Sequence, residues 1–297
     1  MNVLSLFDGI ACGRVALDRA GIPVNNYFAS EVDKNAMAVA KNNWPDIEHT
    51  GDVKNVSGLL LPKIDLLIGG SPCQGFSLQG KQLAFDDPRS KLFFEFVRLL
   101  KDCKPKYFLL ENVRMKKEFL AIITNMLEVA PICINSALVS AQNRVRYYWT
   151  NIPGIQQPAN KRLILADILE RGVTRREGRI IYTNHELLTD IDADYCKEKL
   201  RCFNVGVTKR GGFLASTRVY SPKGKCPALL ALTGGGLEKK VIADDTRYWR
   251  KLAPCEAERL QTLPENYTKG FSDRQRLKML GNGWTVDVIT HILGGLL

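Results

Sequence analysis

Short apolar runs alternate with amphipathic stretches along the first half of the chain. Residues 3–7 (Val-Leu-Ser-Leu-Phe) read as a strand, and 14–20 as a helix closed by Gly21. A second strand ends at Ala29-Ser30-Glu31, and a helix covers 34–43. Ile64-Asp65-Leu66-Leu67-Ile68 is a buried strand, and helix 91–101 gathers Leu92, Phe93, Phe96, Leu99 and Leu100 on one face. Strand 107–110, helix 117–129 and strand-like runs near 132–139 and 145–150 complete the series. This β-α-β-α order predicts an α/β fold, a doubly wound and mostly parallel Rossmann-like sheet.

The pattern changes after residue 150. Residues 151–158, rich in Pro, Gly and Gln, read as a linker, and 172–245 show poor periodicity with Gly-Gly and Gly-Gly-Gly clusters. A smaller, irregular β-rich domain is expected there. Pro254 opens a helix over 255–263, a second covers 274–280 with Gly281 as its cap, and apolar 285–297 returns to cover the first sheet. The expected domains are 1–155 with 275–297, and 156–274.

Composition narrows the function classes. No apolar run reaches the about 18 residues of a membrane span. The N-terminus lacks the basic flank and cleavage site of a signal peptide, so an intracellular protein is expected. The eight cysteines form no C-x-x-C pair and the three histidines are far apart, which argues against a metal site and for reduced thiols. Net charge is +11, of which +7 falls within 156–250. Lys197, Lys199, Arg201, Lys209, Arg210, Arg218, Lys223 and Lys225 stand against Glu198 alone, beside Gly211-Gly212-Phe213 and Tyr220. That concentration fits a polyanion surface.

Two turns carry candidate chemistry. Gly70-Ser71-Pro72-Cys73-Gln74-Gly75-Phe76-Ser77 follows the strand at 64–68, where open α/β sheets hold their ligands. Pro72 stiffens the turn and its glycines admit a close substrate, so Cys73 is a candidate nucleophile. Phe7-Asp8-Gly9-Ile10-Ala11-Cys12-Gly13 opens a helix after the first strand, and Glu31 ends the next strand 22 residues after Gly9. A carboxylate there can accept ribose hydroxyls, and Asp52 could take an exocyclic amine. Without a G-x-G-x-x-G a pyrophosphate ligand is disfavoured; an adenosine ligand lacking phosphates remains, S-adenosylmethionine first among them.

With these turns and Glu111-Asn112-Val113 in place, the chain resembles the DNA (cytosine-5-)-methyltransferases. The likeness runs in order from residue 3 to 286, outside the middle region. It rests on Phe7-Asp8-Gly9, Glu31, Asp52-Val53, Pro72-Cys73-Gln74, Glu111-Asn112-Val113, Gln142-Asn143-Arg144-Val145-Arg146 and Gly281-Asn282-Gly283-Trp284. Arg250-Lys251-Leu252 with Glu256 and Arg259-Leu260-Gln261 resembles the support of the family's target-recognition domain. Phe7-Asp8-Gly9-Ile10, Ala29-Ser30-Glu31-Val32, Leu92-Phe93-Phe94-Glu95-Phe96 and Asn151-Ile152-Pro153-Gly154 resemble the eukaryotic de novo branch, without its regulatory domains. Ala228-Leu229 departs from the Thr-Leu of many relatives, and the recognition domain is short.

The resemblance implies a catalytic and cofactor domain, a target-recognition domain, and methyl transfer from S-adenosylmethionine to C5 of a flipped cytosine in a specific duplex DNA sequence. Cys73 would add to C6. Glu111 would contact N3 and the exocyclic amine and supply the N3 proton, a role that asks for an acid shielded from water. Arg146, with Arg144, would hold O2. Cofactor contacts implied are Phe7, Gly9, Glu31, Val32, Asp52, Val53, Pro72, Leu92, Asn282 and Trp284. Residues 72–92 resemble the family's mobile loop, with Ser77, Gln79, Lys81 and Arg89 toward DNA and Gln79 a candidate to fill the vacated space. Gln142, Lys209, Arg210, Arg218 and Lys223 complete the expected DNA contacts. The protein would be a monomer with no metal, in bacterial or phage cytoplasm, a cognate restriction endonuclease being a potential companion. An RNA cytosine-5 methyltransferase and a non-catalytic DNA-binding relative are the competing readings; the second fits less well with Cys73, Glu111 and Arg146 all present.

Overall fold

The computed structural model describes residues 1–72, 91–173, 175–182, 192–209, 214–231, 238–243 and 247–297. They form two compact units. The first comprises Met1–Ile134, Val145–Gln157 and Val288–Leu297; the second comprises Asn135–Arg144 and Pro158–Asp287.

The first unit is built on a seven-stranded sheet. Its strands are β1 (Asn2–Leu6), β2 (Asn26–Ser30), β3 (Glu48–His49), β4 (Leu66–Gly69), β5 (Tyr107–Val113), β6 (Ile132–Asn135) and, after β7 (Gln142–Asn143) of the second unit, β8 (Val145–Thr150). The order is β3-β2-β1-β4-β5-β8-β6. From β3 to β5 neighbours are parallel; β8 runs antiparallel to β5. The order reverses direction at β1, with β2 on one side and β4 on the other, which opens the ligand crevice of such sheets.

Four intervening helices follow from the apolar spacing: α1 (Cys12–Arg19), α2 (Lys34–Asn43), α3 (Leu92–Cys103) and α4 (Lys117–Leu127). Asp33 starts α2 by accepting the Asn35 and Ala36 N–H groups. Phe93, Phe96 and Leu99 of α3 are fully buried with Leu4, Leu6, Leu67 and Leu110. Each such side chain contributes about 1.5–3 kcal/mol relative to exposure.

Several boundaries differ from expectation. α1 begins two residues early, at Cys12, because Ala11 (φ 60°) starts it from the left-handed region. The expected strand over 132–139 stops at Asn135, whose side chain accepts the Ala137 N–H and turns 136–138 into a short 3-10 helix. β5 continues to Val113 because β8 pairs along it, from Leu109–Thr150 to Val113–Arg146.

In the second unit a six-stranded mixed sheet has the order β10-β11-β12-β14-β15-β9. These are β9 (Gly178–Arg179), β10 (Ile181–Tyr182), β11 (Asn204–Val207), β12 (Arg218–Tyr220), β14 (Lys240–Ile242) and β15 (Tyr248–Lys251); β13 (Cys226–Pro227) pairs with β7 instead. Helices α5 (Leu165–Ile168), α6 (Ala193–Lys199), α7 (Leu214–Thr217), α8 (Pro254–Leu260) and α9 (Asp273–Asn282) accompany it, and α10 (Val286–Leu293) leads back into the first unit. Gly281 is not a cap but lies inside α9. A Cβ there would stand 2.2 Å from the Leu230 carbonyl oxygen, so glycine answers a close backbone approach.

Among the described residues no helix is long and apolar enough to cross a membrane.

Candidate active site

Register brings the candidate residues of the first unit to one edge. Leu6 pairs with Ser30 on one side and with Gly69 on the other, and Gly69 pairs with Leu110. The residues that follow this row are Phe7, Glu31, Gly70 and Glu111. Three turns separated in sequence therefore leave the sheet beside Glu111 of β5 at its carboxyl edge.

At the β1 end, Phe7 (φ 57°), Gly9 (φ 62°) and Ala11 wind the chain sharply. A Cβ on Gly9 would meet nothing within 4 Å, so open space lies over the turn. Glu31 is more engaged than expected. Its Oε2 accepts the Gly9 N–H at 2.8 Å, and its Oε1 accepts the Val32 and Asp33 N–H groups at 2.7 and 2.8 Å. Three of about four lone-pair positions are thus used to fix the turn, leaving one for a ligand hydroxyl.

Asp8 was not singled out by the sequence. It is buried, and its Oδ1 accepts the Ser5 hydroxyl at 2.6 Å and the Tyr27 hydroxyl at 2.7 Å. Oδ2 is buried with no partner among the described residues. Burial pushes its pKa up to about 7, against the two hydroxyls that lower it, with nearby Glu31 raising it further.

The other expected cofactor residues are distributed unevenly. Asp52 caps a short 3-10 turn by accepting the Lys54 N–H at 3.0 Å. Val53 is buried in the core, Phe7 and Leu92 pack partly against it, and Val32 is exposed. Pro72 is half-buried. Asn282, exposed, and Trp284, half-buried, belong to the second unit.

Cys73, Ser77, Gln79, Lys81, Arg89 and Arg210 lie outside the described residues. The lead-in to Cys73 is described, and Asn112, quoted in the Glu111-Asn112-Val113 motif without a role of its own, anchors it. Asn112 Nδ2 donates to Ser71 Oγ at 3.1 Å, both side chains being buried, while Asn112 Oδ1 accepts the Val113 N–H at 2.8 Å. The only signal in sequence was a polar residue at a buried strand position.

Glu111 and Arg146 meet across strands. Arg146 stands opposite Val113, two residues along from Glu111 on the same face, the diagonal relation in which long side chains reach one another. Arg146 Nε is 2.9 Å from Glu111 Oε1, and both side chains are largely buried. The Nε–H has no aligned acceptor among the described residues, so the contact is one of charge, and donor capacity is left over. The arrangement places a carboxyl and a guanidinium at the same edge as Gly70, which begins the lead-in to Cys73.

Arg144 and Gln142 do other work. Buried Arg144 donates to the carbonyls of Leu229 (3.0 Å), Gly281 (3.3 Å) and Gly283 (3.1 Å), all within the second unit. Its guanidinium braces main chain there, instead of the expected contact with a base. Gln142 is fully buried. It donates to the Leu260 carbonyl and to Gln261 Oε1 and accepts the Leu229 N–H at 2.7 Å, which leaves nothing to reach DNA. The Ala228-Leu229 departure is therefore pinned on both main-chain sides.

The basic stretch 197–225 is partly interior. Lys209, Arg218 and Lys223 are exposed as expected. Lys225 is fully buried, donating to the Ala137 and Ser140 carbonyls at 2.6 and 3.0 Å, and burial lowers its pKa to about 8. Tyr220 is buried too. The Arg250–Glu256 pair is bidentate and buried, 2.8 and 2.7 Å, with the Ala253 and Glu170 N–H groups also on Glu256. Among the described residues no group of His, Cys, Asp and Glu could hold a metal.

Comparisons with known proteins give the family. Residues 1–297 match the family model of C-5 cytosine-specific DNA methylases. The chain is 32% identical to the type II methyltransferase M1.ScrFI of Lactococcus lactis subsp. cremoris, over 98% of this chain and 76% of that protein. It is 27% identical to the type II methyltransferase M.HhaI of Haemophilus parahaemolyticus, over 98% and 93%. In fold it is similar to the Entamoeba histolytica methyltransferase EhMeth, with TM-score 0.73, 17% identity, and 100% and 97% of the two chains covered. With an E. coli prophage-encoded DNA modification methyltransferase structure the TM-score is 0.69 at 21% identity, over 100% and 98%. The chain belongs to the C-5 cytosine-specific DNA methylases and is a DNA (cytosine-5-)-methyltransferase.

Proposed function

We propose that the enzyme uses S-adenosylmethionine and a covalent Cys73–C6 adduct to methylate C5 of a cytosine flipped out of a specific duplex DNA sequence. The expected 1–155 with 275–297 would hold cofactor and base, and 156–274 would read the target; the compact units divide differently, 135–144 and 275–287 falling in the second. The carrying observation is the row Phe7, Glu31, Gly70 and Glu111, which sets a nucleoside turn beside the turn that leads to Cys73.

The residues fit an adenosine donor without phosphates. Open space over Gly9 admits it, and Glu31 has one lone-pair position left for a ribose hydroxyl. Phe7 would pack on the adenine, Asp52 would take its amine, and Val32, Val53, Pro72 and Leu92 would line the first unit's side of the site. The bound donor supplies an electrophilic methyl group.

C5 of cytosine is a poor nucleophile until the ring is activated. Cys73 adds as thiolate to C6 and forms a C–S bond, while the C5–C6 electron pair moves toward C5. An ordinary thiol is only a few per cent ionised at neutral pH, so proton loss accompanies attack. Glu111 holds the N3 proton gained during addition, and Arg146, with its spare N–H, faces O2 and offsets developing charge. After methylation the C5 proton leaves as the C–S bond breaks and the thiolate is released. Flipping costs roughly a few kcal/mol, offset by contacts in the pocket. Ser77, Gln79, Lys81 and Arg89 would follow the DNA as the loop closes, with Lys209, Arg210, Arg218 and Lys223 on the recognition side.

Trapping tests this directly. Duplex DNA carrying 5-fluorocytosine should form a covalent adduct with the wild type in the presence of cofactor, and Cys73→Ala should form none while still binding cofactor. A wild type that binds DNA and cofactor without forming an adduct would overturn the mechanism, and methyl transfer only to tRNA would overturn the substrate. A monomer in bacterial or phage cytoplasm is part of the same proposal; the type II names of M1.ScrFI and M.HhaI favour a cognate endonuclease as companion, and the orphan name of the Bacillus phage relative M.SPRI favours an enzyme working alone.

A further inference from the structure

Polyanion contact was expected over 197–225, yet the second unit carries a denser cationic edge elsewhere. Among the described residues β9 is an outer strand of the six-stranded sheet and pairs with β15 alone. Arg171, Arg175, Arg176 and Arg179, on and before this strand, are all exposed, and so is Arg247 just before β15. Arg179 stands opposite Tyr248 and Gly178 opposite Trp249, and Ile180 N donates to the Arg247 carbonyl at 2.8 Å. The two segments therefore run side by side and pool their arginines.

The ring at the centre organises them. The guanidinium carbons of Arg176 and Arg179 lie 4.9 and 5.9 Å from the Tyr248 ring centroid. A guanidinium held against a ring face keeps its in-plane N–H donors directed outward, and less rotamer freedom is lost when they engage a phosphate. The acid among them engages Arg175, which leaves Arg176, Arg179 and Arg247 as the arginines on which the edge rests. Glu177 is only 18% exposed and pairs with Arg175 at 3.2 Å and Lys251 at 3.5 Å. Asp244 and Asp245, which precede Arg247, lie outside the described residues.

We propose that this arginine edge binds the sugar-phosphate backbone of the duplex substrate, without regard to base sequence. The partner follows from charge complementarity on an enzyme of DNA, and the proposal rests on DNA being that substrate. Charge on an outer strand also discourages strand addition by another chain. That duty requires no shared aromatic platform and predicts no change in DNA affinity when the charges go.

The test is the salt dependence of binding of the full-length enzyme to a fluorescent random-sequence duplex, followed by anisotropy. In Arg176→Gln/Arg179→Gln the slope of log affinity against log salt should become shallower by about 1.8, near 0.9 per lost phosphate contact. Arg176→Lys/Arg179→Lys should retain most of the slope. If the glutamine pair lowers the melting temperature, Arg247→Gln serves as the single-charge version, with a change of about 0.9. An unchanged slope in folded glutamine variants overturns the proposal, as does a slope change confined to structured RNA. Wild-type methyl transfer to duplex DNA is measured alongside. Its absence would sink the substrate assignment itself, whereas normal transfer with an unchanged slope would sink only the arginine edge.

Discussion

Asn112→Ala probes how the turn before Cys73 is held. Asn112 and Ser71 are 1% and 4% exposed, and their 3.1 Å hydrogen bond joins β5 to that turn. Alanine removes the donor to Ser71 Oγ and leaves the Val113 N–H, now bonded at 2.8 Å, without its acceptor. Water has little access to either group, so the expected loss of stability is about 1–3 kcal/mol. If that energy holds the turn in its reactive position, single-turnover methyl transfer slows by roughly 5- to 150-fold. Cofactor affinity, which the proposed site assigns to groups around Phe7 and Glu31, should change far less. Denaturant unfolding and single-turnover rates of Asn112→Ala, Ser71→Ala and the double variant complete a thermodynamic cycle. A coupling of about 1 kcal/mol is expected; effects additive to within about 0.3 kcal/mol would refute the pair.

Asp8→Asn should change how stability depends on pH. The folded carboxyl titrates at about 7 instead of 3.8, so the folded chain keeps a proton that the unfolded chain releases. Wild-type stability should fall relative to Asp8→Asn as pH rises from about 4 to about 7, by at most on the order of 4 kcal/mol, and the difference should level off above; parallel melting curves across that range would contradict it. Arg144→Ala should unfold the protein more easily by at least about 3 kcal/mol, since three main-chain carbonyls lose a charged donor, and Arg146→Ala, which strands the largely buried Glu111, should also lower melting but cut turnover of the folded enzyme by roughly 100- to 1,000-fold; a turnover loss in folded Arg144→Ala as large as in Arg146→Ala would erase the distinction. Gly281→Ala should destabilise by more than about 3 kcal/mol, because its Cβ would overlap the Leu230 carbonyl; a melting temperature within a degree or two of wild type would show that the helix can shift.

The strands and helices of the first unit were legible because their burial is periodic. Helix 34–43 falls where it was expected, and the Phe93-Phe96-Leu99 face packs into the core. The strand register was not legible, yet it aligns Phe7, Glu31, Gly70 and Glu111. Motifs identified residues without saying which way they face. Arg144 and Arg146 are two positions apart, and one braces the second unit while the other meets Glu111. Lys225 looked like its exposed neighbours because charge in a sequence carries no sign of burial; its partners are carbonyls more than eighty residues away. Gly281 was read as a cap from its place near a helix end, when its cause is a neighbour distant in the chain.

The ribbon Asn135–Arg144 belongs to the second unit although the chain returns to the first sheet directly after it. Its partners come late in synthesis: Lys225 rests on Ala137 and Ser140, Cys226 pairs with Gln142, and Ser140 donates to the Leu260 carbonyl at 2.6 Å. On the ribosome the ribbon must wait for over a hundred residues before its polar groups are matched. A fragment starting at Pro158 would lack the Ala137 and Ser140 carbonyls that accept from Lys225 and the strand that pairs with Cys226–Pro227. Exchanging target preference between relatives by swapping one continuous cassette should therefore fail, and carrying residues 135–144 along with the insert should rescue it.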